Sequence, residues 1–125
     1  MAGETRQHES MIATEVLETI AAVAAMETKG VTGMSGGLVD GVTRRFSRGD
    51  HPMGVEVRSD EGKVTLHLRV TVAYGENIPE VGNRAIYRVS EAIRDMTGIR
   101  PDDIRLRVEG VTLPEEQEES TENEE

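Results

Sequence analysis

The run Gly33-Met34-Ser35-Gly36-Gly37 matches G-x-S-x-G, the strained turn that exposes a nucleophilic serine in α/β hydrolases. Such a serine needs a base and an acid within reach. The imidazoles available are His8, His51 and His67, in a polar N-terminal stretch, a loop and an expected strand. The turn itself belongs between a parallel strand and a helix of a much larger fold, so here it reads as a structural glycine turn. Four glycines in eight residues, Gly30, Gly33, Gly36 and Gly37, demand unusual backbone angles or close approach by another chain. They spell neither G-x-G-x-x-G nor a terminal G-K-[ST], and no lysine follows them. Successive amides in such a turn leave an anion nest as an alternative.

Metal and thiol chemistry find little support. The absence of cysteine removes disulfides, thiolate ligands and cysteine nucleophiles together, and it fits a reducing compartment. The three histidines show no helical i, i+4 pairing, while Asp60-Glu61 and Asp102-Asp103 read as turn carboxylates. No catalytic residue, metal or cofactor is expected, and the chain is read as non-enzymatic.

Arginine is the informative residue type. Arg44, Arg45 and Arg48 crowd one segment, and Arg58, Arg69, Arg105 and Arg107 fall at alternate positions of expected strands, on the same side as His67. Phosphate binding uses such clusters, so a small nucleic-acid-binding domain using the basic sheet face and the 44–48 loop is one reading. Against it stand the overall acidity, the lack of aromatics on that face and the missing GXXG with flanking lysine. The plainest alternative is ion pairing on an exposed sheet, with Glu56 and Glu109 as cross-strand partners. The third is a protein partner, docking on Arg58, His67, Arg69, Arg105 and Arg107 and on the glycine turn at Gly33, Met34, Gly36 and Gly37, beside Leu38.

Hydrophobic spacing sets the elements that would position these residues. Val16, Leu17, Ile20, Val23 and Ala24 recur at helical spacing, which predicts a helix over about 15–28, capped by Thr14 and stopped at Lys29-Gly30. A short strand near Val31 is expected. Val55 and Val57, then Val64, Leu66, Leu68, Val70 and Val72, alternate with polar residues about Ser59-Asp60-Glu61-Gly62, a hairpin with one buried face. Ile78-Pro79 opens a second helix with Val81, Ala85, Val89, Ala92, Ile93 and Met96 on one side, ended by Thr97-Gly98. A last strand holds Ile104, Leu106 and Val108, bulged at Gly110. The order is α-(β)-β-β-α-β, a two-layer α+β sandwich with two helices on one face of a 3-4 stranded sheet. Phe46, Tyr74 and Tyr87 are the only aromatics, so the core must be aliphatic, and the methionines read as core fillers.

The chain has 125 residues, which is one domain's worth, with a formal charge of −10. Residues 114–125, PEEQEESTENEE, hold seven of its glutamates and no basic residue, so residues 1–113 carry −3. That tail and residues 1–9 are expected to be disordered, leaving 10–113 as the folded domain. The apolar run Thr19 to Met26 is far short of the roughly 20 residues that span a bilayer, and its acidic flanks argue against a secretory leader. The expectation is a cytoplasmic protein with no direct membrane insertion.

A family is recognisable in these residues. Ala13 to Ala21, the run G-V-T-G-M-S-G-G at 30–37, V-T-V-A-Y-G at 70–75 with I-P-E-V at 78–81, M-T-G at 96–98 and V-E-G-V at 108–111 resemble the bacterial alkaline shock protein family. The likeness covers nearly all of residues 12–113. It implies a small cytoplasmic protein of envelope stress without enzymatic activity, a scaffold held in some members at the membrane by an anchoring partner and able to form homo-oligomers. It supplies no catalytic residues, and the glutamate-only tail departs from it.

Overall fold

Alternation of Val64, Leu66, Leu68, Val70 and Val72 with polar residues produces one long strand, against which every other element is arranged. The computed structural model describes residues 11–35 and 54–115. Along the chain these form α1 (Thr14–Met26), β1 (Val31–Met34), β2 (Val55–Asp60), β3 (Lys63–Ala73), α2 (Ile78–Thr97) and β4 (Asp103–Thr112). The order is the expected one, and the fold is α+β. The expectations for residues 1–9, for the 44–48 arginine loop and for the tail from residue 116 onward fall outside the described residues.

The β2–β3 hairpin turns through Glu61 and Gly62, at φ +53° and +85°. Two consecutive left-handed residues suit the right-handed twist of the strands they join. β2 pairs antiparallel with the first half of β3, Val55 against Leu68 through Asp60 against Lys63. β1 pairs antiparallel with its second half, Met34 against Val70 and Val31 against Val72. β4 runs parallel along the whole opposite edge, from Asp103 against Thr65 to Thr112 against Ala73. The expected bulge is present: Val70 and Thr71 face Val108 and Gly110, leaving Glu109 as the extra residue. Asp102 anchors the start of this pairing, its Oδ2 accepting from Val64 N–H at 2.7 Å.

β1 and β2 therefore share one edge of β3, end to end. Their junction lies at Arg69, whose C=O accepts from Ser35 N–H at 2.8 Å and whose N–H donates to Gly54 O at 2.9 Å. Ser35 and Gly54, which flank residues 36–53 in sequence, thus meet the sheet at the same residue. Gly54 makes the return feasible: at φ +71°, a Cβ there would stand 2.5 Å from Ser35 O.

The helices cover one face. Leu66, Leu68, Val70 and Val72 of β3 meet Val81, Ala85, Val89 and Ile93 of α2, and Leu17, Ile20, Ala21, Ala24 and Ala25 of α1, all buried. Asn77 caps α2, its Oδ1 accepting from Glu80 N–H at 3.0 Å, and Gly98 ends it at φ +83°. Three expectations are corrected. Val16 and Val23 are exposed, while Ala21, Ala22 and Ala25 are buried, because small residues let α1 lie close to its neighbours. Thr14 is the first helical residue, behind Ala13, which makes no side-chain cap. Among the methionines Met34 fills the core, but Met11, Met26 and Met96 are exposed; Met96 lies in the last turn of α2, past Ile93.

Candidate docking site

The face of the sheet turned away from the helices carries the polar half of each alternation. On β3 these are Thr65, His67, Arg69 and Thr71, on β2 Glu56 and Arg58, and on β4 Asp103, Arg105 and Arg107. Burial of the interleaved Leu66, Leu68 and Val70 fixes this register, since a one-residue slip would turn the valines and leucines to solvent. The pairing then decides the neighbours. His67 stands between Glu56 on one side and Arg105 on the other, and Arg69 stands opposite Arg107. On its remaining side Arg69 meets the Ser35–Gly54 junction, where Gly54 offers no side chain. A shallow basin results, lined by Glu56, His67, Arg69, Arg105 and Arg107.

The ion pairs run along the strands, not across them as the sequence suggested. Arg58 Nε lies 3.1 Å from Glu56 Oε2, Arg105 Nε 2.9 Å from Asp103 Oδ2, and Arg107 Nε 3.4 Å from Glu109 Oε2. Each joins residues two apart, which share a face. Across the strands the β4 arginines stand opposite His67 and Arg69, and among the described residues no carboxylate faces them in that register. Arg69 has His67 and Thr71 as its same-face neighbours, and among the described residues its side chain has no carboxylate partner. Among the described residues, three of the four arginines on this face have a carboxylate on their own strand, and Arg69, at its centre, is the arginine without one. With the three paired arginine side chains 65%, 69% and 78% exposed, each pair contributes about 0–1 kcal/mol.

A polar rail borders the basin. The Thr32 hydroxyl shares hydrogen bonds with those of Thr71, at 2.9 Å, and Thr112, at 2.7 Å. The Ser35 hydroxyl donates to Glu109 Oε1 at 2.6 Å. Gly33 and Gly110 flank Thr71, where a Cβ on either would come within 3.1 Å of its side chain.

Of the residues singled out from sequence, the structure gathers His67, Arg69, Arg105 and Arg107 around the basin. It sets Arg58 toward the hairpin end, opposite Thr65, and Gly33 on the rail. Met34 is turned into the core at 9% exposure, which withdraws it from the docking surface; the irregularity between Val31 and Gly33 faces both Val31 and Met34 inward. Gly36, Gly37, Leu38, His8 and His51 lie outside the described residues. Sequence reasoning missed Thr32, Thr112 and Gly54. Only pairing identifies the two threonines, whereas Gly54 beside a valine strand was a readable sign of a tight re-entry. Among the described residues no group of three His, Asp or Glu side chains converges as a metal site would require. No helix among them is long and apolar enough to cross a membrane.

Comparison with known proteins places this geometry in context. The family model of the alkaline shock proteins, described as having a "cell envelope-related function", matches residues 2–113. The chain is 32% identical over 100 residues to the uncharacterized protein YqhY of Bacillus subtilis (strain 168), covering 80% of this chain and 74% of that one. It is 27% identical over 104 residues to the uncharacterized protein YloU of the same organism, covering 82% and 87%. The uncharacterized protein Spy1535 of Streptococcus pyogenes is also 27% identical over 104 residues, covering 82% and 78%. No solved structure matches the chain.

Proposed function

The chain belongs to the alkaline shock protein family, whose function is related to the cell envelope, and on that premise we propose that it is a non-enzymatic stress-response scaffold. It binds a protein partner through the open sheet face. The observation that carries this reading is Arg69: the centre of an uncovered face holds a guanidinium without an acid among the described residues, beside two arginines whose own acids leave them exposed. Charge patterns of this kind set partner choice and register more than raw affinity.

The same reading makes attachment to the membrane indirect. A formal charge of −10 is repelled by anionic lipid, so a membrane-anchored partner would hold this protein at the inner face of the membrane. Self-assembly into homo-oligomers through the face is a second use of the same contacts. The nucleic-acid alternative, on the sheet face and the 44–48 loop, is weakened by Glu56, Asp103 and Glu109 interleaved among the arginines, since each repels a phosphate backbone.

The test is a pull-down from native lysate with the double variant Arg69→Glu, Arg105→Glu beside the parent chain. Both positions are exposed, so the fold is expected to survive, as circular dichroism would verify. Loss of the recovered protein supports the docking face. Unchanged recovery removes it, and a salt-sensitive shift of a labelled oligonucleotide, lost in the variant, would favour nucleic acid instead.

A further inference from the structure

We propose that the basin around Arg69 is a carboxylate-binding site and that its occupant in the free protein is this chain's own glutamate-rich stretch, residues 116–125. The inference deepens the docking reading, on which it rests, by naming what competes for the same face.

Three features of the described residues call for an anion here. The parallel register sets Arg69 opposite Arg107, and like charges directly opposite are unfavourable unless something lies between them. Arg107 and Arg105 have acids on their own strand; Arg69 has none among the described residues. Gly54 lines the basin beside Arg69 without a side chain of its own, and Ser35 on the same edge is engaged by Glu109, so a carboxylate would meet the Arg69 guanidinium from the basin side.

Position and composition identify the occupant. β4 runs next to β3 and ends at Thr112, so the chain leaves the sheet beside this face. The level of Arg69 is that of Arg107, five residues before the end of β4 at Thr112, or roughly 17 Å back along the strand at ~3.3 Å per residue. Ten residues extend to ~33–36 Å, enough to turn and reach it. Residues 116–125 contain six glutamates and no lysine or arginine. Laid out as an extended chain they would carry Glu116, Glu118, Glu122 and Glu124 on one side, the two-residue period of Arg105 and Arg107. A tether of this length supplies an effective concentration in the millimolar range, so individually weak exposed contacts suffice.

The test uses the full chain with its six glutamates at 116, 118, 119, 122, 124 and 125 changed to glutamine, which alters no described residue. Amide and arginine side-chain NMR signals are compared with the parent. The expected result at about 20 mM NaCl is a set of shift differences at His67, Arg69, Arg105 and Arg107 that vanishes at about 0.5 M NaCl, where screening is nearly complete. Arg69→Gln in the parent chain is expected to remove them as well. A synthetic peptide of residues 116–125 should bind the glutamine variant at least threefold more tightly than the parent. Superimposable spectra would overturn the proposal, and differences that grow with protein concentration would overturn its intramolecular form. Neither result touches the docking reading, which fails only if Arg69→Glu, Arg105→Glu leaves partner recovery unchanged.

Discussion

The Ser35 hydroxyl donates to Glu109 Oε1 at 2.6 Å, joining two residues that lie 74 positions apart and on opposite sides of β3. Ser35 directly follows β1 at the point where the chain leaves the sheet, and Glu109 is the extra residue of the β4 bulge. One bond therefore ties the two irregularities of the sheet together. The serine that a nucleophile motif would have exposed donates its hydrogen bond to a carboxylate.

Removing that hydroxyl should loosen the junction. Ser35→Ala is expected to lower stability by about 0.5–1.5 kcal/mol, the usual net value of one hydrogen bond. Glu109→Gln keeps an acceptor and should lose less. Urea unfolding midpoints of the two variants decide the matter; a larger loss in Glu109→Gln would mean that the Arg107–Glu109 contact, and not the serine bond, dominates.

Gly54 and Gly62 both have positive φ, yet they should respond differently to alanine. At Gly62 a Cβ meets nothing within 4 Å, so Gly62→Ala costs only the left-handed backbone, about 1 kcal/mol. At Gly54 the Cβ would stand 2.5 Å from Ser35 O and 3.0 Å from Arg69 O, both backbone atoms of the sheet edge. Gly54→Ala is expected to cost about 2–4 kcal/mol, measurable as a fall in thermal midpoint several times that of Gly62→Ala.

The two helix starts offer a third comparison. Asn77→Ala removes the acceptor of Glu80 N–H and should cost about 1 kcal/mol. Thr14→Ala removes no cap, because Ala13 holds that position, and alanine is the better helix former. Its expected effect is within about 0.5 kcal/mol of zero, and a loss matching that of Asn77→Ala would contradict the assignment.

The elements were legible in the sequence wherever burial imposes a period. Val64 to Val72 could only be a half-buried strand, Val81 to Ile93 only an amphipathic helix, and Gly98 and Gly110 marked a helix end and a bulge through their backbone freedom. In α1, apolar almost all round, the same reasoning chose Val16 and Val23 for the core. Which side of such a helix is buried depends on how closely its neighbours approach, and alanines permit the closer approach.

Composition and alternation alone determined that the chain carries an aliphatic two-layer domain, that four of its arginines share one sheet face, and that most of its net negative charge lies after residue 113. Tertiary structure decided which charges meet. A strand's own residues reveal its two faces but not its neighbours, because pairing and register arise from segments far apart in the chain. Only the parallel docking of β4 on β3 sets Arg107 opposite Arg69, and only the end-to-end placement of β1 and β2 leaves Gly54 beside it. The ion pairs then form along the strands, since the β4 arginines stand opposite His67 and Arg69 and not opposite carboxylates.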